Sequence, residues 1–244
     1  MSAFLRAELL KLRTTRTFLA LAGSAAAIGL LISGLSAALS NDLTEEDVRS
    51  FVIVDTSGLF ILLLGVIGMS GEWRHRTITS TVLAAPDRLR LLAAKLVAYA
   101  AAGVALSLLV NLLCMVVATA ILSGRGEETL ELGDLADLIW RNLVLAALFG
   151  ALGVGLGGIV RNQAVAVVLV LLTAFAIEPA IIALAPSVGR FGPLVAAPAA
   201  FIEGDTGIEG TDLVAPGVAV LVLLGWIAAL AGASAALLQG RDLT

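Results

Sequence analysis

Charge is scarce in this chain of 244 residues. Only 14% are Asp, Glu, Lys or Arg, while 59% are apolar; a soluble domain carries ~25% charged residues. So few charges cannot cover a water-facing surface. That excludes an ordinary cytosolic enzyme and a disordered tail. A single cysteine, Cys114, excludes a disulfide framework. With one histidine besides, His75, no site needing several Cys or His ligands can form, and we expect neither metal nor cofactor. Lysine occurs only as Lys11 and Lys95, each followed by leucine. A phosphate-binding loop needs Lys followed by Ser or Thr after a glycine-rich turn, so the chain cannot bind ATP in that way.

What is abundant is long apolar sequence. A membrane-spanning helix needs ~20 mostly apolar residues, and six runs qualify: 18–39, 51–70, 91–122, 143–160, 164–185 and 217–238. The pattern predicts an all-α integral membrane protein with six spans in a single domain, 1–244. There is no internal repeat and no long soluble insertion. The first run has the basic flank of a signal peptide, but its 22 residues exceed the ~7–15 of a signal core, so we read it as a retained span. The third run, at 32 residues, would extend ~48 Å, so its first two turns should stand outside the hydrocarbon. The second carries Asp55 near one end. Only residues 161–163 join the fourth and fifth runs, which predicts a tight hairpin.

The basic residues give the orientation. With the N-terminus in the cytoplasm and six spans, eleven of the fifteen basic residues fall inside. They are Arg6, Lys11, Arg13, Arg16, Arg74, Arg76, Arg88, Arg90, Lys95, Arg161 and Arg241. Outside lie Arg49, Arg125, Arg141 and Arg190, with fourteen of the acids. The expectation is a multi-pass protein of the plasma membrane with both termini cytoplasmic.

Two inside segments invite a functional reading. In residues 4–16, Phe4, Leu5, Leu9 and Leu12 share one helical side with Leu10 beside them, while Arg6, Lys11 and Arg13 lie largely elsewhere. This is either a basic anchor or an interfacial elbow helix against membrane lipids. Residues 71–96, between spans two and three, carry five of the eleven inside cations. A short helix over 74–84 should stop at Ala85-Pro86, because proline turns its predecessor away from helix. Asp87 can cap the next helix. Such a piece suits docking to a soluble partner; equally, it is a basic loop that enforces topology.

The same loop resembles that of ABC-transporter permeases of the type-2 exporter class, especially short six-span actinobacterial subunits. The residues that carry the resemblance are Glu72, Arg74, Thr77-Ile78, Pro86, Arg88 and Lys95. The start of the chain, 7–18, is similar as well, with Glu8, Lys11, Arg13 and Arg16. Arg76 departs from the pattern, since many relatives have Gly there. The resemblance implies a coupling helix at 74–84 seated on a separate cytoplasmic ATPase, two copies of which would serve two permease subunits, identical or homologous. Arg74, His75, Arg76, Thr77 and Ile78 would touch the ATPase. Glu72 and Arg88 would fix the segment by pairing with each other or with neighbours. The chain would be a transport subunit, not an enzyme, and no nucleic acid would be involved.

Other motifs look like chemistry. Gly68-Met69-Ser70-Gly71 matches the GxSG of rhomboid-like proteases, but a serine nucleophile needs a base within reach. The one histidine lies in a charged stretch outside the span. Gly153, Gly155 and Gly158 match a dinucleotide fingerprint, which works only between a strand and a helix. We read them instead with Ala146, Gly150 and Gly157 as a small-residue face for close helix packing. Glu178, before Pro179, either lines the outer part of a substrate path or gate or lies in water where the proline ends the helix. Asn111 and Ser107, one turn apart, are candidates for interhelical hydrogen bonds or the path. Trp140 is a candidate interface anchor, and 134–141 a candidate short surface helix.

The expected function is therefore the membrane half of an ATP-driven exporter. Two other classes compete. A stand-alone secondary carrier would use intramembrane charge and repeat symmetry, for which Glu178 alone speaks. A membrane-embedded enzyme acting on lipid or isoprenoid phosphates would show clustered acids at the membrane face. Here Glu8, Glu72, Asp87 and Asp242 form no Asp pair.

Overall fold

The computed structural model describes residues 2–41, 44–52, 55–74, 88–127, 129–160, 162–202 and 213–240. Among these residues the regular structure is entirely helical: α1 (Ser2–Thr14), α2 (Arg16–Leu39), α3 (Glu45–Val52), α4 (Ser57–Arg74), α5 (Arg88–Arg125) and α6 (Leu132–Ile159). There follow α7 (Gln163–Leu172), a π-helical turn (Thr173–Ile177), α8 (Glu178–Leu184), α9 (Pro186–Gly189), α10 (Ala196–Ile202) and α11 (Pro216–Gly240). Six helical stretches are long and apolar enough to cross a membrane: Arg16–Leu39, Asp47–Glu72, Leu89–Arg125, Gly133–Ile159, Gln163–Leu184 and Pro216–Gln239.

Local chemistry sets the breaks. Extended backbone at Thr15, φ −82° and ψ 131°, separates α1 from α2. Asn162 caps α7, its side-chain oxygen accepting from the Ala164 and Val165 amides at 3.0 and 3.3 Å. Gly126, at φ +76°, closes α5. The Glu127 amide reaches back to Leu122 O (3.0 Å) and the Gly126 amide to Ser123 O (3.1 Å), a cap that a left-handed glycine permits.

Three elements differ from the reading of the sequence. The second apolar run is interrupted, because Asp55 and Thr56 are not helical and α4 starts only at Ser57. Asp55 sits at this break, accepting the Ser57 amide at 2.7 Å, and Thr56 bonds Ala25 O at 2.7 Å. The stretch 134–141 is not a separate helix but the first turns of α6. No Gly or Pro interrupts it there, and the Arg141–Asp137 pair (3.0 Å) supports the continuous helix. Pro179 does not end its helix. The π turn one turn earlier takes up the strain of the missing amide, and helix resumes to Leu184.

Helix α6 runs through the middle of the bundle, with α4 and α5 on one side and α11 on another. Its small residues allow the approach. A methyl group on Gly150 would collide with Tyr99 O, on Gly153 with Leu62 O, and on Gly157 with Val66 O at 2.5 Å. Ala146 meets Gly103 of α5 in the same way. In a bilayer, where water does not drive association, such close van der Waals contact is what would hold helices of this kind together. Gly155 and Gly158 face Leu230 and Ser234 of α11. Ser70 is fully buried and donates to Val66 O at 2.6 Å within its own helix. Outward faces carry leucine and valine, among them Leu31, Leu109, Val116, Leu172 and Leu221, a surface suited to lipid.

Candidate functional site

Four charges meet where α1 crosses the end of α4 and the start of α5. Lys95, on the inner stripe of α5, is 1% exposed. Its ammonium lies 2.8 Å from Glu8 Oε2 and 2.8 Å from Glu72 Oε1. Lys11 Nζ completes the set, 2.7 Å from Glu8 Oε1 and 3.2 Å from Glu72 Oε1. The result is a ring of alternating sign, Lys95–Glu8–Lys11–Glu72, with net charge zero. Glu8 and Glu72 are buried, and Lys11 is half-exposed. Burial by itself would push the Glu8 carboxyl up; Lys95 and Lys11 outweigh it and hold the group below the ordinary carboxylate value.

The packing explains why these side chains converge. Leu5 and Leu12 of α1 join the main core, and Glu8 stands between them at helical spacing. Hence Glu8 occupies the centre of the inward face of α1, while Leu9 and Leu10 point out at 39% and 62% exposure. Amphipathicity read from leucines alone turned that face too far. Lys95 lies among Leu91, Leu92, Ala98 and Tyr99, all buried. That spacing of three and four residues is a signal that could have placed the lysine inside. Glu72 takes Lys95 and Lys11 as its partners; the side chains of Arg74 and Arg88 lie outside the described residues, as do His75, Arg76, Thr77, Ile78 and Pro86. The ring closes both flanks of the segment 75–87 and ties them to α1.

A second polar group lies in the apolar body. Ser107 Oγ donates to Asp55 Oδ2 at 2.5 Å. Asn111 Nδ2 donates to Ser107 O at 2.8 Å, and Asn142 Nδ2 on α6 donates to Asn111 Oδ1 at 2.8 Å. Asn111 and Ser107 thus join α5 to α6 and to the break between α3 and α4. Asp55 and Asn142 were not singled out from the sequence for this role.

Glu178 is 3% exposed. Its carboxylate accepts the amides of Leu194 (3.0 Å), Val195 (2.7 Å) and Ala196 (3.0 Å), at the start of α10. The segment 186–202 therefore folds back beside α8, with Gly189 against Ile182 and Gly192 against the Glu178 carboxylate. Trp140 is 47% exposed and stacks edge-on against Phe201, centroids 5.7 Å apart. Among the described residues no group of three or more His, Cys, Asp or Glu could hold a metal ion.

No protein-family model matches this chain, and no curated protein matches it.

Proposed function

We propose that this chain is the membrane-spanning permease subunit of an ATP-driven exporter of the ABC type-2 class, working with a separate cytoplasmic ATPase. It would lie in the plasma membrane with both termini cytoplasmic, pair with a second permease subunit and engage two ATPase copies. The observation that supports this reading best is the buried ring of Glu8, Lys11, Glu72 and Lys95. It fastens the end of α4, the start of α5 and α1 into one unit at the two roots of the segment 75–87. A push on that segment would reach three helices together. A loop that served only to fix topology needs no such clamp, since exposed basic residues do that alone.

In this reading α1 is the elbow helix at the lipid interface, and Arg74, His75, Arg76, Thr77 and Ile78 meet the ATPase. Glu72 and Lys95 are positioning residues: they keep the docking segment in register with the spans and touch no substrate. The spans would move between inward-open and outward-open arrangements as the ATPase pair closes.

The test is co-purification with a cytoplasmic ABC ATPase co-expressed with this chain. Reversing charge at Arg74 and Arg76 should abolish complex formation and stimulation of ATP hydrolysis. Unchanged complex formation and stimulation would remove the loop as the dock.

A further inference from the structure

A cavity of about 400 Å³ opens on the flank of the bundle between α6, α7–α8 and α11. Its size falls within the ~300–1,000 Å³ of small-molecule sites. Its walls include Leu156, Leu169, Ile177, Phe191, Trp226 and Leu230. The polar groups on its lining are already engaged within the chain. Thr173 Oγ1 donates to Leu169 O at 2.8 Å. Trp226 Nε1 donates to Phe191 O at 3.0 Å. The Glu178 carboxylate is taken up by the three amides of 194–196. The cavity is thus almost wholly apolar, and Leu169, Ile177 and Trp226 are exposed at its rim.

Beside it stands a cation. The Arg190 guanidinium lies 4.9 Å over the ring of Phe191, which lines the cavity. Arg190 Nε is buried without a hydrogen-bond partner. That atom is shut off from the surface, so a headgroup would meet the outer nitrogens of the guanidinium, whose planar fork suits phosphate oxygens. We propose that this is a lipid site: one acyl chain fills the cavity and an anionic phosphate headgroup pairs with Arg190. The inference stands apart from the exporter reading, because it needs no ATPase.

The full chain carrying Trp73→Phe and Trp140→Phe keeps Trp226 as its one tryptophan. It is reconstituted in phosphatidylcholine vesicles with small amounts of brominated-chain phosphatidylglycerol or, separately, brominated-chain phosphatidylcholine. Trp226 fluorescence should be half-quenched at an about fivefold lower mole fraction of the anionic lipid, as one cation near a phosphate allows. Arg190→Gln should bring the two lipids level, and Arg190→Lys should retain the preference. Leu230→Phe, which fills the cavity, should weaken quenching by both. Equal quenching by the two lipids in the parent overturns the proposal. So does a preference that persists in Arg190→Gln, since it would then reflect general surface charge.

Discussion

Replacing Lys95 by methionine removes one charge from the ring and keeps the side-chain volume. Two ion pairs of 2.8 Å vanish. Glu8 and Glu72, both buried, then face each other with only half-exposed Lys11 between them. Removing one partner of a buried ionic group costs about 3–5 kcal/mol, because the other charges stay buried without compensation. At about 2–4 °C per kcal/mol for a chain of this size, the unfolding midpoint in detergent should fall by about 6–20 °C. Lys11→Met should cost far less, about 0–1 kcal/mol, since water and salt screen an exposed ammonium. A variant with Glu8→Gln, Glu72→Gln and Lys95→Met together should recover much of the loss, because no charge is then stranded. Thermal unfolding followed by tryptophan fluorescence measures all three. If Lys11→Met costs as much as Lys95→Met, or the triple variant is worse than the single, the ring is not the clamp argued above.

Further outcomes follow from the same geometry. Because the Glu8 carboxyl is held below its ordinary value of 4.5, its stabilisation is complete above that value and is lost as pH falls through the depressed folded value. Unfolding midpoints should therefore drop below about pH 4.5, and Glu8→Gln should flatten the drop; an unchanged profile in that variant refutes the assignment. Gly153→Ala drives a methyl group into the Leu62 carbonyl and should cost about 1–3 kcal/mol by overpacking. Gly232→Ala, with open space around it, should be neutral or slightly stabilising; equal losses at both positions would contradict the α4–α6 contact. Glu178→Ala strips a buried acceptor from three amides, so hydrogen exchange at Leu194, Val195 and Ala196 should accelerate. Exchange that stays slow would mean these amides have other partners.

Much of the architecture could be read from residue types because the lipid bilayer is an unforgiving solvent. A span must satisfy its backbone internally and present apolar side chains, so apolar run lengths alone mark six helices. Ala146, Gly150, Gly153 and Gly157 could be read as a packing face for a similar reason: only small side chains let two backbones meet. The break at Asp55 was harder to see. A carboxylate near the end of an apolar run looks the same whether it lies in water or caps an internal helix start, and the Ser57 and Ser107 contacts that distinguish the two come from different helices.

Composition and spacing were enough to mark six helical stretches long and apolar enough to cross a membrane, and the small-residue seam of α6. Partnership required the folded chain. Glu8 and Lys95 are 87 residues apart, Lys11 and Glu72 are 61 apart, and Glu178 finds its amides 16 to 18 residues on. A helix that is apolar on every side carries no mark of which face turns inward. That choice rests on close packing between neighbours, and with it which charges meet in a ring and which cavity is left beside Arg190.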